Sequence, residues 1–420
     1  MPIDKLVHFI YAEQLQVGLY IHLDLPWNEH PFTFGSFKIK SGEQIEMIKQ
    51  LGVQQIRYSP TKSDIQPIAI KEAVIETPAA QPDPDLRVRL EAKQSKLQQF
   101  EYNNALRSEC AKAFAATAQA VRNIDKQLHS RPKETLAGAE RLVGQMLDTL
   151  LVDNDIIIHL MNDKTKGEEL YFHSLNVVVI SLILARDMQL QKQDIRTLGL
   201  AALFHDIGKA QIPDRILMKS GPLSAAEEKV YQQHSQWSVN AAKTAGLPPE
   251  VLRLIAQHHE MCDGSGYPKG LKHDEIDPLA RILALVNCYD SYCNRLNPAE
   301  SLTPHEALSQ IYTQQKASFD PVPLNLLIRA MGIYPPGSLV LLSNDCYALV
   351  MAVNTTKPLK PLIQVYNPNT QDQGTVLINL EYETQLNICK SIKLAQLPKA
   401  AAVYLSPGKH ISYYFNASAQ

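Results

Sequence analysis

The sequence predicts a mainly α protein: an all-helical central domain, preceded by a small α+β domain and followed by a small β module. Three observations predict this. From about residue 133 to 330, segment after segment has helical periodicity, with short Gly/Pro breaks between them. The first sixty residues mix strand-like alternation with one helical pattern. After Tyr334-Pro335-Pro336-Gly337 the texture changes to alternating β-like runs. The expected division is 1–62 for the α+β domain, 63–85 for a linker, 86–132 for a long helical segment, 133–334 for the helical domain and 335–420 for the β-rich module and tail. A length of 420 residues gives room for these pieces.

Taken in order, VGLYIHLDL has strand composition. GEQIEMIKQLG then places Ile45, Ile48 and Leu51 on one helical face, with Gly52 as a stop, and VQQIRYS returns to a strand. Pro60, Pro67, Pro78, Pro82 and Pro84 mark the linker. Helix formers resume at Leu86. Leu90, Leu97, Phe100, Ala105 and Ala111 are spaced like a helix face without a clean heptad. Both a helix packed within one domain and a dimerising helix, hence a homodimer, satisfy that pattern. The helical domain is read from KETLAGAERLVGQMLDTLLV, SLNVVVISLILARDM, QDIRTLGLAALFHDIG, SAAEEKVYQQHSQWSVNAAKTAG, PEVLRLIAQHHE and LARILALVNCYDSYC. The β module is read from SLVLLSND, YALVMAVN, PLIQVYN and GTVLINL, with a loose tail at the end.

Composition excludes several classes of function. Apolar residues at 45% and charged residues at 20% rule out a disordered chain. Forty-one basic against 43 acidic side chains create no global field for DNA, RNA or anionic lipid, so any contact with phosphate is local. Six cysteines, Cys110, Cys262, Cys288, Cys293, Cys346 and Cys389, are scattered without a C-x-x-C pair. They read as free thiols of a cytoplasmic protein rather than a disulfide framework or a thiolate zinc site. The N-terminus lacks a signal-peptide core. The apolar run Leu175–Ala185 is too short to span a membrane, which takes about twenty residues.

The chemistry is concentrated in the helical domain. Thirteen histidines occur in the chain, and His173, His205, His234, His258 and His259 fall there beside several acids. Phe204-His205-Asp206-Ile207-Gly208-Lys209 follows the apolar LGLAAL. Adjacent side chains on a helix point about 100° apart, so His205 and Asp206 reach one point only near a helix end or around a shared ion. Imidazole and carboxylate together suit a divalent first-row metal, and a carboxylate can bridge two ions. Gly208 allows a tight exit, and Lys209 brings a cation. The plain alternative is a helix that ends in polar residues. His258-His259-Glu260 precedes Asp263-Gly264-Ser265-Gly266-Tyr267-Pro268, a loop able to fold over a pocket, in which Tyr267 either stacks on a partner or simply packs. Glu169 and His173 lie i, i+4 on one helical face. Asp290 follows an apolar helix, and His234 lies in YQQHSQW. Each is weak alone.

Together these pieces resemble the HD-GYP domain, a bacterial subgroup of the HD metal-dependent phosphohydrolases. The resemblance is carried by YFHSLNV, HDIGKAQIPDRILMKSGPLS, His234, QHHEMCDGSGYPKGL and LARILALVNCYDSY, and it covers roughly residues 150 to 330. The stretch HPFTFGSFKIKSGEQIEMIKQLGVQQIRY is similar to a small N-terminal domain of unknown function that often precedes such domains. The resemblance implies hydrolysis of cyclic di-GMP or a related cyclic dinucleotide, with two or three divalent ions, iron or manganese. It implies metal ligation by His173, His205, Asp206, His234, His258, His259 and Asp290, with Asp206 bridging and Glu169 supporting a third ion. Lys209 would face the scissile phosphate, and Gly266, Tyr267, Pro268 and Arg295 would meet the nucleotide or a diguanylate cyclase partner. Two ions about 3.5–4 Å apart suit in-line displacement at a phosphodiester, which is anionic and has a poor leaving group. One segment departs from the family: after Asp290 the expected Pro-Tyr and basic residue have no clear counterpart in Ser291–Ala299. That leaves a sensor or adaptor that binds without turnover as the alternative to a phosphodiesterase, and a different nucleotide as a third reading.

Overall fold

The computed structural model describes residues 8–25, 30–32, 34–68, 105, 108–124, 126–128, 130–152, 156–161, 169–219, 221–295, 300–366, 376–383, 385–405 and 411–417. The chain divides into two compact units, Met1–Asn104 and Ala105–Gln420. Most of the Pro-rich segment lies outside the described residues.

In the first unit β1 (His8–Tyr11), β2 (Tyr20–His22), β3 (Ser36–Lys38) and β4 (Gln55–Tyr58) form an antiparallel sheet in the order β1-β4-β2-β3. Helix α1 (Gly42–Gln50) starts where the Ser41 hydroxyl accepts the Gln44 N–H. Its Ile48 is buried among Ile10, Leu19, Ile21, Ile39 and Ile56, with Ile45 and Leu51 packed beside it, as the sequence predicts.

The second unit opens with helical residues 108–124. Phe114 stacks on Phe172 at 5.8 Å, and the Thr117 hydroxyl hydrogen-bonds the Tyr414 phenol at 2.9 Å. Residues 108–124 are therefore packed within their own chain, while Leu90, Leu97 and Phe100 of the expected helix lie outside the described residues. The helices that follow are α2 (Pro132–Val152), α3 (Glu169–Asp187), α4 (Lys192–Phe204), α5 (Asp214–Leu217), α6 (Ala225–Gln232), α7 (His234–Thr244), α8 (Pro249–Gln257), α9 (Pro278–Cys293), α10 (Pro304–Gln314) and α11 (Pro321–Met331). Proline opens α8, α9, α10 and α11, where its missing N–H costs no hydrogen bond. Ser224 and Glu227 form a capping box at the start of α6. The segment read as one helix from SAAEEKV to KTAG breaks at Gln233 into α6 and α7.

Helix α3 is apolar on every side, and Leu175, Val177, Val178, Val179, Ile180, Leu182, Ile183 and Leu184 are all buried. Each such side chain contributes about 1.5–3 kcal/mol on burial. The helix packs against α4 and α9. Among the described residues no helix is long and apolar enough to cross a membrane. No two cysteines form a disulfide.

The β module supplies β6 (Leu339–Leu342), β7 (Tyr347–Asn354), β8 (Leu362–Val365), β9 (Val376–Asn379) and β10 (Ile388–Ile392). Two further strands differ from the sequence reading. Ile156–Met161, inside the region read as helix after helix, is strand β5. The end of the chain is not a loose tail: Ser412–Ala417 is strand β11, paired with the whole of β5. All seven strands form one antiparallel sheet, β10-β6-β7-β5-β11 with β8 and β9 continuing from β7. Burial on both faces explains the gain. Ile158 and Leu160 of β5 and Tyr413 and Phe415 of β11 are nearly inaccessible, and β11 lies against α3.

Candidate metal centre

The centre is built from helix ends. The last carbonyls of a helix lack intrahelical donors. Three histidines supply them: His205 Nδ1 donates to Ala202 O at 2.8 Å, His234 Nδ1 to Tyr231 O at 2.6 Å, and His258 Nδ1 to Ile255 O at 2.6 Å. A carbonyl can only accept, so each Nδ1 carries the proton and each Nε2 presents a bare lone pair. All three rings are fully buried.

These lone pairs face one another and Asp206. His234 Nε2 lies 3.4 Å from His258 Nε2 and 3.1 Å from His259 Nε2, while His173 Nε2 lies 3.2 Å from His205 Nε2. Asp206 divides between the two sets. Its Oδ2 is 3.2 Å from His173 Nε2 and 3.3 Å from His205 Nε2; its Oδ1 is 3.3 Å from His234 Nε2 and 3.6 Å from His258 Nε2. Oδ1 is buried without a hydrogen-bond partner. A buried acceptor surrounded by acceptors is costly unless a cation lies between them. The donor atoms of Asp206, His234, His258 and His259, and those of His173, His205 and Asp206, each lie within 4.8 Å of one another. Nitrogen and oxygen donors in two buried groups that share one carboxylate fit a multi-metal centre.

The electrostatics of His258 and His259 agree. Burial pushes the His258 imidazole down to about 4, against the pull of Asp206 and helped by His205 and His234. Burial, with His258 and His234 beside it, holds His259 well below its usual range. Both are therefore neutral near pH 7, the state a metal ligand needs. Burial also opposes charge on His173, but Asp206 and Asp290 outweigh it and raise that imidazole to about 9. Asp206 is held well below the carboxylate range, because Lys209 and His205 overcome the effect of burial. Lys209 Nζ sits 2.5 Å from Asp206 Oδ2 and over the Tyr231 ring, and despite burial its pKa is raised, chiefly by Asp206.

Two glycines allow the close approaches. A Cβ on Gly208 would collide with His234 O and Ser238 N, so the turn after Asp206 packs directly on α7, where the Gly208 N–H donates to Ser238 Oγ at 2.9 Å. A Cβ on Gly266 would collide with His259 O and Met261 N. That places Tyr267 flat on His259 at 4.5 Å, with its N–H donating to His259 O. Tyr267 is thus a stacking residue over the site. Pro268 follows it in a cis peptide. The buried Glu260 carboxylate fastens the loop from inside, accepting the N–H groups of Lys269 at 2.7 Å and Leu271 at 2.8 Å.

Three expectations fare differently. Asp290 does not join the converging donors. Its Oδ2 takes the His173 Nδ1–H at 2.6 Å and its Oδ1 accepts from Asn176 and Asn294, so both oxygens are already engaged. The side chain of Glu169, the first residue of α3, lies outside the described residues. Arg295 is exposed, 5.5 Å over the Tyr292 ring, with its backbone N–H donating to Ser301 Oγ. Asn176 was missed by sequence reasoning. The available signal was one amide in the apolar run around it, three residues after His173.

Fold and site together define a helical protein with a buried His/Asp centre of the multi-metal kind. Comparison with known proteins agrees. Residues 155–322 match the HD domain family, and residues 8–139 match a domain of unknown function, DUF3391. The chain is 29% identical over 368 residues to a cyclic di-GMP phosphodiesterase of Pseudomonas aeruginosa, which covers 85% of this chain and 84% of that one. It is 34% identical over 151 residues to a cyclic di-GMP phosphodiesterase response regulator of Xanthomonas campestris, 35% of this chain and 39% of that one. It is 29% identical over 163 residues to a 3'3'-cGAMP-specific phosphodiesterase of Vibrio cholerae, 39% of this chain and 35% of that one. The chain thus carries an HD domain, with a DUF3391 domain on its N-terminal side.

Proposed function

We propose that this protein is a cytoplasmic, metal-dependent phosphodiesterase that opens cyclic di-GMP to linear pGpG. The observation that carries the reading is the shared carboxylate: Asp206 turns one oxygen to His173 and His205 and the other to His234 and His258. His173, His205, Asp206, His234, His258 and His259 would hold the ions, iron or manganese. When bound, divalent ions supply Lewis-acid charge to the phosphodiester and acidify water. The chain's own residues do the rest. Asp206 fixes the spacing of the two donor groups. Lys209 holds a positive charge beside the reacting phosphate, where negative charge grows. Tyr267 and the loop from Gly264 to Pro268 wall the site and exclude water from one side. The similarity to one cyclic di-GMP phosphodiesterase along most of the chain supports this substrate, and the similarity to a 3'3'-cGAMP enzyme makes that hybrid the competing one.

The test is full-length protein loaded with ferrous iron or manganese without oxygen, then incubated with cyclic di-GMP and with 3'3'-cGAMP. Appearance of pGpG, at a higher initial rate than cleavage of the hybrid, supports the reading. Faster cleavage of the hybrid reassigns the substrate. No cleavage of either, with metal bound, favours the adaptor reading, which the exposed position of Arg295 and the altered segment 291–299 motivate.

A further inference from the structure

The backbone of Lys209 is fixed on the turn Ile207–Gln211. Its N–H donates to Asp206 O at 2.9 Å, and its carbonyl accepts the Ile212 N–H at 3.0 Å. The side chain is another matter, because a flexible four-carbon stem separates the backbone from the ammonium. The residue is buried, so water holds little of its charge. Nζ reaches Asp206 Oδ2 at 2.5 Å. That same oxygen lies 3.2 Å from His173 Nε2 and 3.3 Å from His205 Nε2. A carboxylate oxygen shared with an ion has less attraction left for an ammonium.

The other neighbour is a ring. Nζ lies over the face of Tyr231, 5.8 Å from its centre. Tyr231 stands in the last turn of α6, just before the break at Gln233. Because the helix stops there, the Tyr231 carbonyl is open to the His234 Nδ1–H at 2.6 Å, and the two rings meet at 5.1 Å and 64°. The break between α6 and α7 therefore fixes where the tyrosine ring stands. An aromatic face attracts a cation, most strongly where water is scarce. It carries no net charge, so ions bound nearby do not draw on it as they draw on Asp206.

We propose that Tyr231 is a positioning residue for Lys209, its ring face holding the ammonium at the edge of the donor cluster, in place for the phosphodiester. What Lys209 then does rests on the phosphodiesterase reading above; how it is held does not. Two other roles for the same residue are separable. A hydroxyl that served the substrate would be lost in Tyr231→Phe. A ring that only packed on His234 would act through metal affinity.

Tyr231→Phe and Tyr231→Met in the full-length protein, each alone and combined with Lys209→Met, test this. Rates on cyclic di-GMP, manganese content and the thermal midpoint are measured. Tyr231→Met fills the space without an aromatic face. It should lower kcat about two- to thirtyfold, the scale of a lost cation–π contact, and leave KM and manganese content as in wild type. Tyr231→Phe keeps the face and should restore kcat to within about threefold of wild type. With Lys209→Met, the further change Tyr231→Met should cost nothing, since no ammonium remains to be held.

A second readout needs neither metal nor turnover. Phenylalanine at position 231 is exchanged for its trifluoro and pentafluoro analogues, which withdraw charge from the ring face and nearly keep its shape. In metal-stripped protein, the rate at which an N-hydroxysuccinimide ester acylates Lys209, read by mass spectrometry, should rise at each step. Should Tyr231→Met fail to fold, this series decides. A rate loss as large with Lys209→Met as without it, Tyr231→Phe as damaging as Tyr231→Met, manganese lost in Tyr231→Met, or acylation indifferent to fluorination overturns the proposal. Manganese-loaded wild-type protein that leaves cyclic di-GMP intact overturns the substrate reading instead, and the acylation series then decides the positioning alone.

Discussion

The two halves of the donor cluster are held by different means. His234 and His258 sit at helix ends, and each ring is fixed by a carbonyl three residues earlier. His173 projects from the second turn of the apolar helix α3. It is hydrogen-bonded to Asp290, 117 residues away, and linked through Asn176 to Ile411, 235 residues from that asparagine. Asp206 is the one side chain both halves share. His205, in the same half as His173, is also fixed by a carbonyl three residues earlier, so the contrast lies in His173 alone, which depends on contacts far along the chain. The half without His173 should be the more robust to changes elsewhere in the chain.

Substitutions can break or sharpen this contrast. The largest effect is expected for Asp206→Asn. It keeps the volume but removes the shared charge, so both ions should be lost and turnover abolished; metal analysis with full ion content and an unchanged rate would refute the site. Next are two one-sided changes. His258→Ala should empty the locally held half and leave one ion per chain. Asp290→Asn should weaken the His173 half by about ten- to hundredfold and spare the other. Titration with manganese reads both, and the contrast fails if the two variants lose the same ion. The smallest effect on metal is expected for Lys209→Ala. It should leave both ions in place and lower kcat about a hundred- to a thousandfold, the scale for losing one charge-stabilising group. Lost metal there would mean that the Lys209–Asp206 pair organises the ligands rather than the phosphate.

The same contrast governs what the sequence discloses. His205, Asp206, Gly208 and Lys209 are contiguous, and His258 to Pro268 form one short stretch, so spacing and turn chemistry suffice to bring those donors together. The helices were legible because their apolar faces recur and their starts carry proline or a capping box. Strand β5 was not, because IIIHLM is a short apolar run between helical patterns, and such a run reads equally as buried helix until its partner is known. That partner, β11, lies at the other end of the chain, where a polar-flanked tail gave no cue. The bonds of Asn176 to Asp290 and of Asn294 to Ile411 were hidden for the same reason. A hydrogen bond across more than a hundred residues leaves no periodicity behind.

The measurement that tests the central claim most directly is elemental analysis of full-length protein purified and loaded without oxygen. Two donor groups joined by Asp206 should hold two iron or manganese ions per chain, falling to none in Asp206→Asn. Wild-type protein that retains no transition metal after loading, while remaining folded, would contradict the account.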